Sequence, residues 1–243
     1  MSLRVALRGD VSLAALCDSA SDVVAADGET TADLLVAVGE PAVRSLADDP
    51  ASVPVLPVDA DVGPYGVAAD DVADCLRTLA ADRSSVADRI VRHPLLSVTA
   101  DDLRTEAVLD VALVTSEAAR ISEYTVADGV GHLASFRADG VVVATPAGSA
   151  GYSHAAGGPV LTTEAGLAVV PISPYTTRPC TWVVDAPIEL GIERDETPVS
   201  LVVDGTVRRQ VGVEDAIEVA VAGNVDLVRP PASADGARRL EKL

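Results

Sequence analysis

Lysine and aromatic residues are nearly missing from this chain. Among 243 residues the only lysine is Lys242, and Phe136 and Trp182 are the sole residues of their kinds. The core must therefore be assembled from Val, Leu, Ala and Ile. Cysteine is equally sparse: Cys17, Cys75 and Cys180 are far apart, odd in number and form no CxxC pair. That argues against a disulfide framework and a cysteine-built zinc site, and for small buried hydrophobes in a reducing compartment. His93, His132 and His154 are too scattered for a metal triad, so no metal site is expected. No apolar run approaches the roughly 18 residues that cross a bilayer, and the N-terminus lacks the basic and apolar regions of a secretion signal. The expectation is a cytoplasmic protein with no membrane partner.

Acid is what the chain has in abundance. Thirty-seven Asp and Glu face 18 basic residues, a formal charge of −19. Either this is an interaction surface for a basic partner, or a halophilic adaptation in which hydrated carboxylates keep the protein soluble in concentrated salt. The acids are spread along the whole chain, which favours salt adaptation. On both readings such a surface excludes non-specific nucleic-acid binding, which depends on neutralising phosphates. The hydrophobic and charged fractions, 49% and 23%, are those of an ordinary globular protein.

Strands and helices alternate through the first 92 residues. Leu3 to Leu7, Asp22 to Ala25, Asp33 to Val38 and Ser52 to Val58 read as strands, the third a continuous apolar run suited to a sheet buried on both faces. Val11 to Cys17 and Pro41 to Ala47 read as helical, the second with proline in its first turn. Between Ala69 and Ala81, Val72, Cys75, Leu76 and Leu79 fall on one helical face. The expected fold here is an α/β domain with a parallel sheet, Rossmann-like in arrangement. From residue 93 to 230 the texture changes to short β-branched runs, among them Ala107 to Thr115, Gly140 to Ala144 and Val199 to Val203. Turn signals such as Asp139-Gly140 and Asp204-Gly205 separate them, which predicts an all-β, sandwich-like domain. Residues 231–243 read as a flexible tail.

The most informative stretch is Asp139-Gly-Val-Val-Val-Ala-Thr-Pro-Ala-Gly-Ser-Ala-Gly-Tyr-Ser-His-Ala-Ala-Gly-Gly-Pro159. A strand runs into a Thr-Pro turn and a small-residue loop, then into a helix expected near Ser149. Small side chains let backbone approach a ligand closely, and a helix start offers unpaired N–H groups to phosphate oxygens. A tight connection between packed elements produces the same pattern, so physics alone leaves both open.

This stretch resembles the NAD kinase pattern D-G-(apolar)₃-[ST]-T-P-T-G-S-T-A-Y-S-x-x-A-G-G-P in order and spacing. Val170-Pro-Ile-Ser-Pro-Tyr175 resembles that family's T-P-I-C-P-H, Arg178-Pro179 its R-P, Val203-Asp-Gly205 its F-D-G, and Ala107 to Leu113 its A-L-N-E-V-V-L. The resemblance covers roughly Leu96 to Pro230. It implies transfer of a phosphoryl group from ATP or polyphosphate, with Mg²⁺, to the 2′-hydroxyl of NAD's adenosine ribose. It also implies a homo-oligomer in which a neighbouring subunit helps complete the site. The family's dinucleotide contacts carry over to Gly39, Asp139, Gly148, Ser149, Tyr152 and Ser153.

The departures concern the chemistry. The family's G-G-D-G-T loop, which supplies a carboxylate, falls on Gly39-Glu-Pro-Ala-Val43. Glu40 takes the aspartate's place on one alignment and Pro41 on the other. Glu40 places its carboxylate about one methylene further out, and a displacement of about 1 Å can cost on the order of 100-fold in rate. It equally suits a plain helix start, acid near the positive end of the dipole with proline beside it. The asparagine of N-E becomes Leu109, while Asp110 keeps an acid where the glutamate was. Two threonines become Ala147 and Ala150, each change removing a hydrogen bond worth roughly 0.5–1.5 kcal/mol. The candidate catalytic residues are Glu40 and Asp110. Three functions stay open: an active NAD kinase, a non-catalytic NAD(H) or nucleotide binder acting as sensor or partner subunit, and an assembly scaffold.

Overall fold

The apolar runs of the first third form a parallel sheet in the structure, a computed structural model that describes residues 2–12, 22–82, 84–117, 120–162, 166–195 and 197–231. Cys17, Lys242, most of the helix expected at Val11 to Cys17 and all but the first residue of the expected tail lie outside the described residues. The chain divides into two compact units, one of Met1–His93 with Asn224–Leu243, the other of Pro94–Gly223.

In the first unit, β1 (Leu3–Arg8), β2 (Val23–Ala25), β3 (Leu34–Val38) and β4 (Val55–Val58) lie in the order β2-β1-β3-β4, all parallel. Leu227, near the end of the chain's last strand, pairs beside Val55. Leu34 to Ala37 are fully enclosed, which is why that run is apolar without alternation. Helix α1 (Glu40–Arg44) follows β3 at once, and α2 (Ala69–Ala81) carries Asp70 and Asp71 in its first turn, where acid suits the dipole. The buried face of α2 is the expected set, Val72, Cys75, Leu76 and Leu79, packed with Leu3, Leu34, Val36 and Leu56. Each large aliphatic side chain buried this way contributes about 1.5–3 kcal/mol.

The second unit is antiparallel. Its strands are β5 (Ile90–Ala100, which begins in the first unit), β6 (Leu103–Ala107), β7 (Asp110–Thr115), β8 (Ser122–Asp128), β9 (Gly131–Ala138), β10 (Gly140–Ala144), β11 (Leu167–Ile172), β12 (Trp182–Val184), β13 (Ile188–Arg194), β14 (Val199–Val203), β15 (Thr206–Val211) and β16 (Ile217–Val228). One sheet has the order β12-β11-β10-β7-β14-β15. The other runs from β9 through β8 and β13 to β16, and on to β5 and β6. Val111, Leu113, Val141 and Val143 of the first sheet share a core with Val98, Tyr124, Val126, Ile188 and Leu190 of the second. The alternate residues Ala112, Val142 and Ala144 point to the opposite face, where they pack with Leu161 and Ala156 from the segment after β10. A sheet covered on both sides needs apolar residues at every position, and β10 is buried throughout. The lone Phe136 and Trp182 stack with centroids 5.9 Å apart.

Burial leaves the Cys75 thiol in the first unit pushed up to about 12, from 9.0. Both folded and unfolded thiols are protonated below pH 9, so stability is unaffected there. Above pH 9 only the unfolded chain ionises, and stability falls until about pH 12, by about 1.4 kcal/mol per pH unit. Urea midpoints measured from pH 8 to 11 are expected to decline more steeply in the wild type than in Cys75→Ala. Equal slopes would place the thiol in contact with water.

Candidate functional site

The second unit concentrates the motif residues around the three-residue segment Val108–Asp110, just before and at the start of β7. Asp204, at the end of β14, is only 5% exposed, and its carboxylate accepts three successive backbone N–H groups. Val108 donates to Oδ2 at 2.9 Å, and Leu109 and Asp110 to Oδ1 at 2.8 and 3.0 Å. The Asp204 N–H donates in turn to the Asp110 carbonyl at 2.9 Å. From the opposite side, the Thr145 hydroxyl donates to the carbonyls of Val108 and Leu109 at 2.7 and 3.0 Å, and the Thr145 N–H donates to Leu109 at 2.9 Å. All six backbone polar groups of the segment are thus satisfied by two residues. Asp204 reaches back because its φ is +46°, a left-handed conformation that aspartate tolerates in an Asp-Gly turn.

The Thr145 hydroxyl also accepts the Gly148 N–H at 3.2 Å, folding the Thr-Pro turn onto β7. A Cβ on Gly148 would overlap the Leu109 carbonyl, so this glycine is demanded by a close approach within the protein. The helix expected near Ser149 is only a single tight turn, Gly148–Ala150, followed by the four-residue α3 (Tyr152–Ala155). Several of its early N–H groups are used within the loop itself. Ser149 donates to the Thr145 carbonyl and Gly151 to that of Gly148. The Ser149 hydroxyl donates to Pro146 at 2.7 Å and accepts from Leu161 at 2.8 Å, tying the loop shut. Ser153 is fully enclosed, its oxygen facing Gly158, where a Cβ would lie 2.7 Å away. Ala147, Ala150 and Leu109 are buried as well. Gly148, Ser149 and Ser153 therefore build the loop, and their side chains offer no polar atom to solvent.

What faces outward is Tyr152, 46% exposed. Burial of its inner part raises the phenol's pKa, and the carboxylates of Asp110 and Asp139 raise it further. Asp139 is fixed through its backbone: its N–H donates to Ile172, and its carbonyl accepts from the Thr115 N–H and hydroxyl. An exposed aromatic face can pack on a base or ribose, and carboxylates accept hydroxyl hydrogen bonds.

Gly39 and Glu40 belong to the first unit. Gly39 has φ +81° and caps α1, receiving the N–H groups of Ala42 and Val43. Glu40 opens the helix, half-exposed, and its Oε1 is paired with Arg44 one turn on. The structure thus brings Asp110, Asp139, Gly148, Ser149, Tyr152 and Ser153 together in one unit and sets Gly39 and Glu40 in the other. Among the described residues no group of three or more His, Cys, Asp or Glu is placed to hold a metal ion. Sequence reasoning missed Thr145 and the role of Asp204. The signal for Asp204 was a bare Asp-Gly pair, which reads first as a hairpin turn.

Comparison with known proteins bears on this site directly. Residues 109–228 match the profile of the ATP-NAD kinase C-terminal domain. The NAD kinase of Gemmatimonas aurantiaca is 33% identical over 186 residues, 72% of this chain and 63% of that protein. That of Geobacter sp. strain M21 is 31% identical over 223 residues, 85% of this chain and 74% of the relative. The chain spans 52% to 63% of the length of three of the curated relatives it matches. The crystal structure of an NAD kinase from Archaeoglobus fulgidus in complex with ATP superposes with a TM-score of 0.66 at 21% identity, over 100% of this chain and 97% of that one.

Gly148→Ala tests the close approach. Forcing a methyl against the Leu109 carbonyl is expected to cost about 1–3 kcal/mol, which for a protein of this size is a fall in Tm of roughly 2–12 °C by calorimetry. An unchanged Tm would mean that the loop does not pack on β7 as described.

Proposed function

This chain belongs to the NAD kinase family, and we propose that it binds NAD through its all-β unit and phosphorylates the 2′-hydroxyl of the adenosine ribose, with ATP or polyphosphate as donor. The observation that carries the binding half is the half-exposed Tyr152 ring on the motif loop, in the same unit as Asp110 and Asp139. The distribution of acid supports it. Of 37 acidic residues only Glu164 falls between Gly140 and Val184, so the motif segment is nearly free of the charge that repels phosphate. The Archaeoglobus fulgidus relative is described in complex with ATP, which supports ATP as donor.

In this reading a carboxylate takes the proton of the 2′-hydroxyl as its oxygen bonds to the γ-phosphorus. The bond from that phosphorus to the β–γ bridging oxygen breaks, and ADP leaves. Glu40 and Asp110 are the two candidate carboxylates. Mg²⁺ would enter with the donor phosphates, as part of the substrate. A neighbouring copy of the chain would complete the site.

A second reading rests on Glu40. Its carboxylate is engaged by Arg44, and on the alignment that puts Glu40 at the aspartate, Pro41 stands where the family has a loop glycine. Proline lacks an N–H to offer a phosphate. A non-catalytic NAD(H) binder, acting as sensor or partner subunit, fits that loop.

Purified protein in molar KCl with Mg²⁺, NAD and either ATP or polyphosphate is expected to form NADP. Either Glu40→Gln or Asp110→Asn should then lower kcat by about 100-fold or more, identifying the base. Absence of NADP above a heat-killed control would reject the kinase reading. Calorimetric titration with NAD then separates the remaining two, because a pure scaffold gives no heat.

A further inference from the structure

We infer that Asp204 and Thr145 are the positioning residues of this site. Without contacting the ligand, they fix the Val108–Asp110 backbone and so determine where the Asp110 side chain projects. This rests on the nucleotide-binding reading only for its consequence, not for its geometry.

Asp204 is 95 residues beyond Leu109 in sequence, yet it holds Asp110 at both ends, accepting from its N–H and donating to its carbonyl. Val203 pairs with Val111 in the β14–β7 ladder, so the clamp continues the ladder by one further step. Both Asp204 oxygens are engaged and the residue is buried, which leaves it no part in touching a ligand. The Thr145 hydroxyl and N–H hold the two remaining carbonyls, and that hydroxyl also receives Gly148. One polar pair therefore fixes the acid of β7 and the glycine of the motif loop relative to each other. Breaking any of these bonds would leave a buried backbone group unpaired, which is costly. Asp110 influences Tyr152 from this fixed position.

Replacing Asp204 by Asn keeps one acceptor but turns an NH₂ toward a backbone N–H. Thr145→Val keeps the shape and removes the hydroxyl, whereas Thr145→Ser keeps the hydroxyl. Hydrogen exchange followed by mass spectrometry should show the amides of Val108, Leu109 and Asp110 exchanging at least tenfold faster in Asp204→Asn, with the rest of the second unit unchanged. NAD affinity, measured by calorimetry in molar KCl, should weaken at least tenfold in Asp204→Asn and in Thr145→Val and recover in Thr145→Ser. In an Asp110→Asn background the further loss from Asp204→Asn should be less than twofold, since Asp204 acts through Asp110. Unchanged exchange at 108–110, or a full tenfold loss still added in the Asp110→Asn background, overturns the inference. Should Asp204→Asn fail to fold, the Thr145 pair decides the same question. If the wild type binds no NAD, the nucleotide reading fails, and the exchange data alone decide whether the clamp exists.

Discussion

Six backbone hydrogen-bonding groups on three consecutive residues, Val108 to Asp110, find all their partners in Asp204 and Thr145. A segment at the start of a strand carries polar groups beyond the regular ladder, and burying them unpaired would cost about 1–3 kcal/mol per group. Here the side chains of Asp204 and Thr145 supply most of the partners, and the backbone N–H groups of the same two residues supply the rest. Because the donors and acceptors come from β14 and from the turn after β10, the segment ties two strands that flank β7 into one rigid frame. The motif loop is then set by what it packs on: Gly148 against the Leu109 carbonyl, Ser149 between Pro146 and Leu161. The position of Tyr152 follows from the turn that precedes it.

Much of the fold could be read beforehand because burial leaves a period in the sequence. The face of α2 was visible at Val72, Cys75, Leu76 and Leu79, and the strand at β3 was visible as an unbroken apolar run. The strands β9 and β15 were harder. His132, Ser135 and Arg137, or Thr206, Arg208 and Gln210, are polar residues on a solvated face, and alternation that shallow resembles a loop. The clamp was hidden for another reason. It joins residues about 95 positions apart, and no local pattern records a contact of that range. The motif did not reveal how its residues are used, since a loop that cradles a ligand and a loop that packs tightly on its own sheet both require small side chains. Gly148 and Ser149 also hold the loop on its own sheet.

That distinction changes what the substitutions at Leu109, Ala147 and Ala150 mean. All three are buried, at 5%, 0% and 2% exposure. A polar side chain at such a position must find a partner inside the protein or in a ligand that reaches it. An apolar one carries no such debt, and the loop keeps its shape whether or not a ligand arrives. The shape of the frame depends on the Asp204–Thr145 clamp, and apolar side chains at these three buried positions leave that shape independent of any ligand.

The first unit shows the same independence at smaller scale. Gly39, with its positive φ, keeps the turn from β3 into α1, and Pro41 fits the first helical turn, where a missing N–H costs nothing. Glu40 is placed well for the helix dipole and for its ion pair with Arg44. Each of these residues is locally consistent with a helix start, and none is strained or left unsatisfied in the way that functional loops often are. A carboxylate serving a transfer must exchange Arg44 for a substrate hydroxyl. An exposed i,i+4 pair is worth only a few tenths of a kcal/mol, so that exchange is inexpensive. The ion pair therefore does not by itself hold the Glu40 carboxylate in place. Pro41 is the firmer constraint on this turn, because proline, unlike glycine, has a fixed φ and no N–H to offer an approaching group.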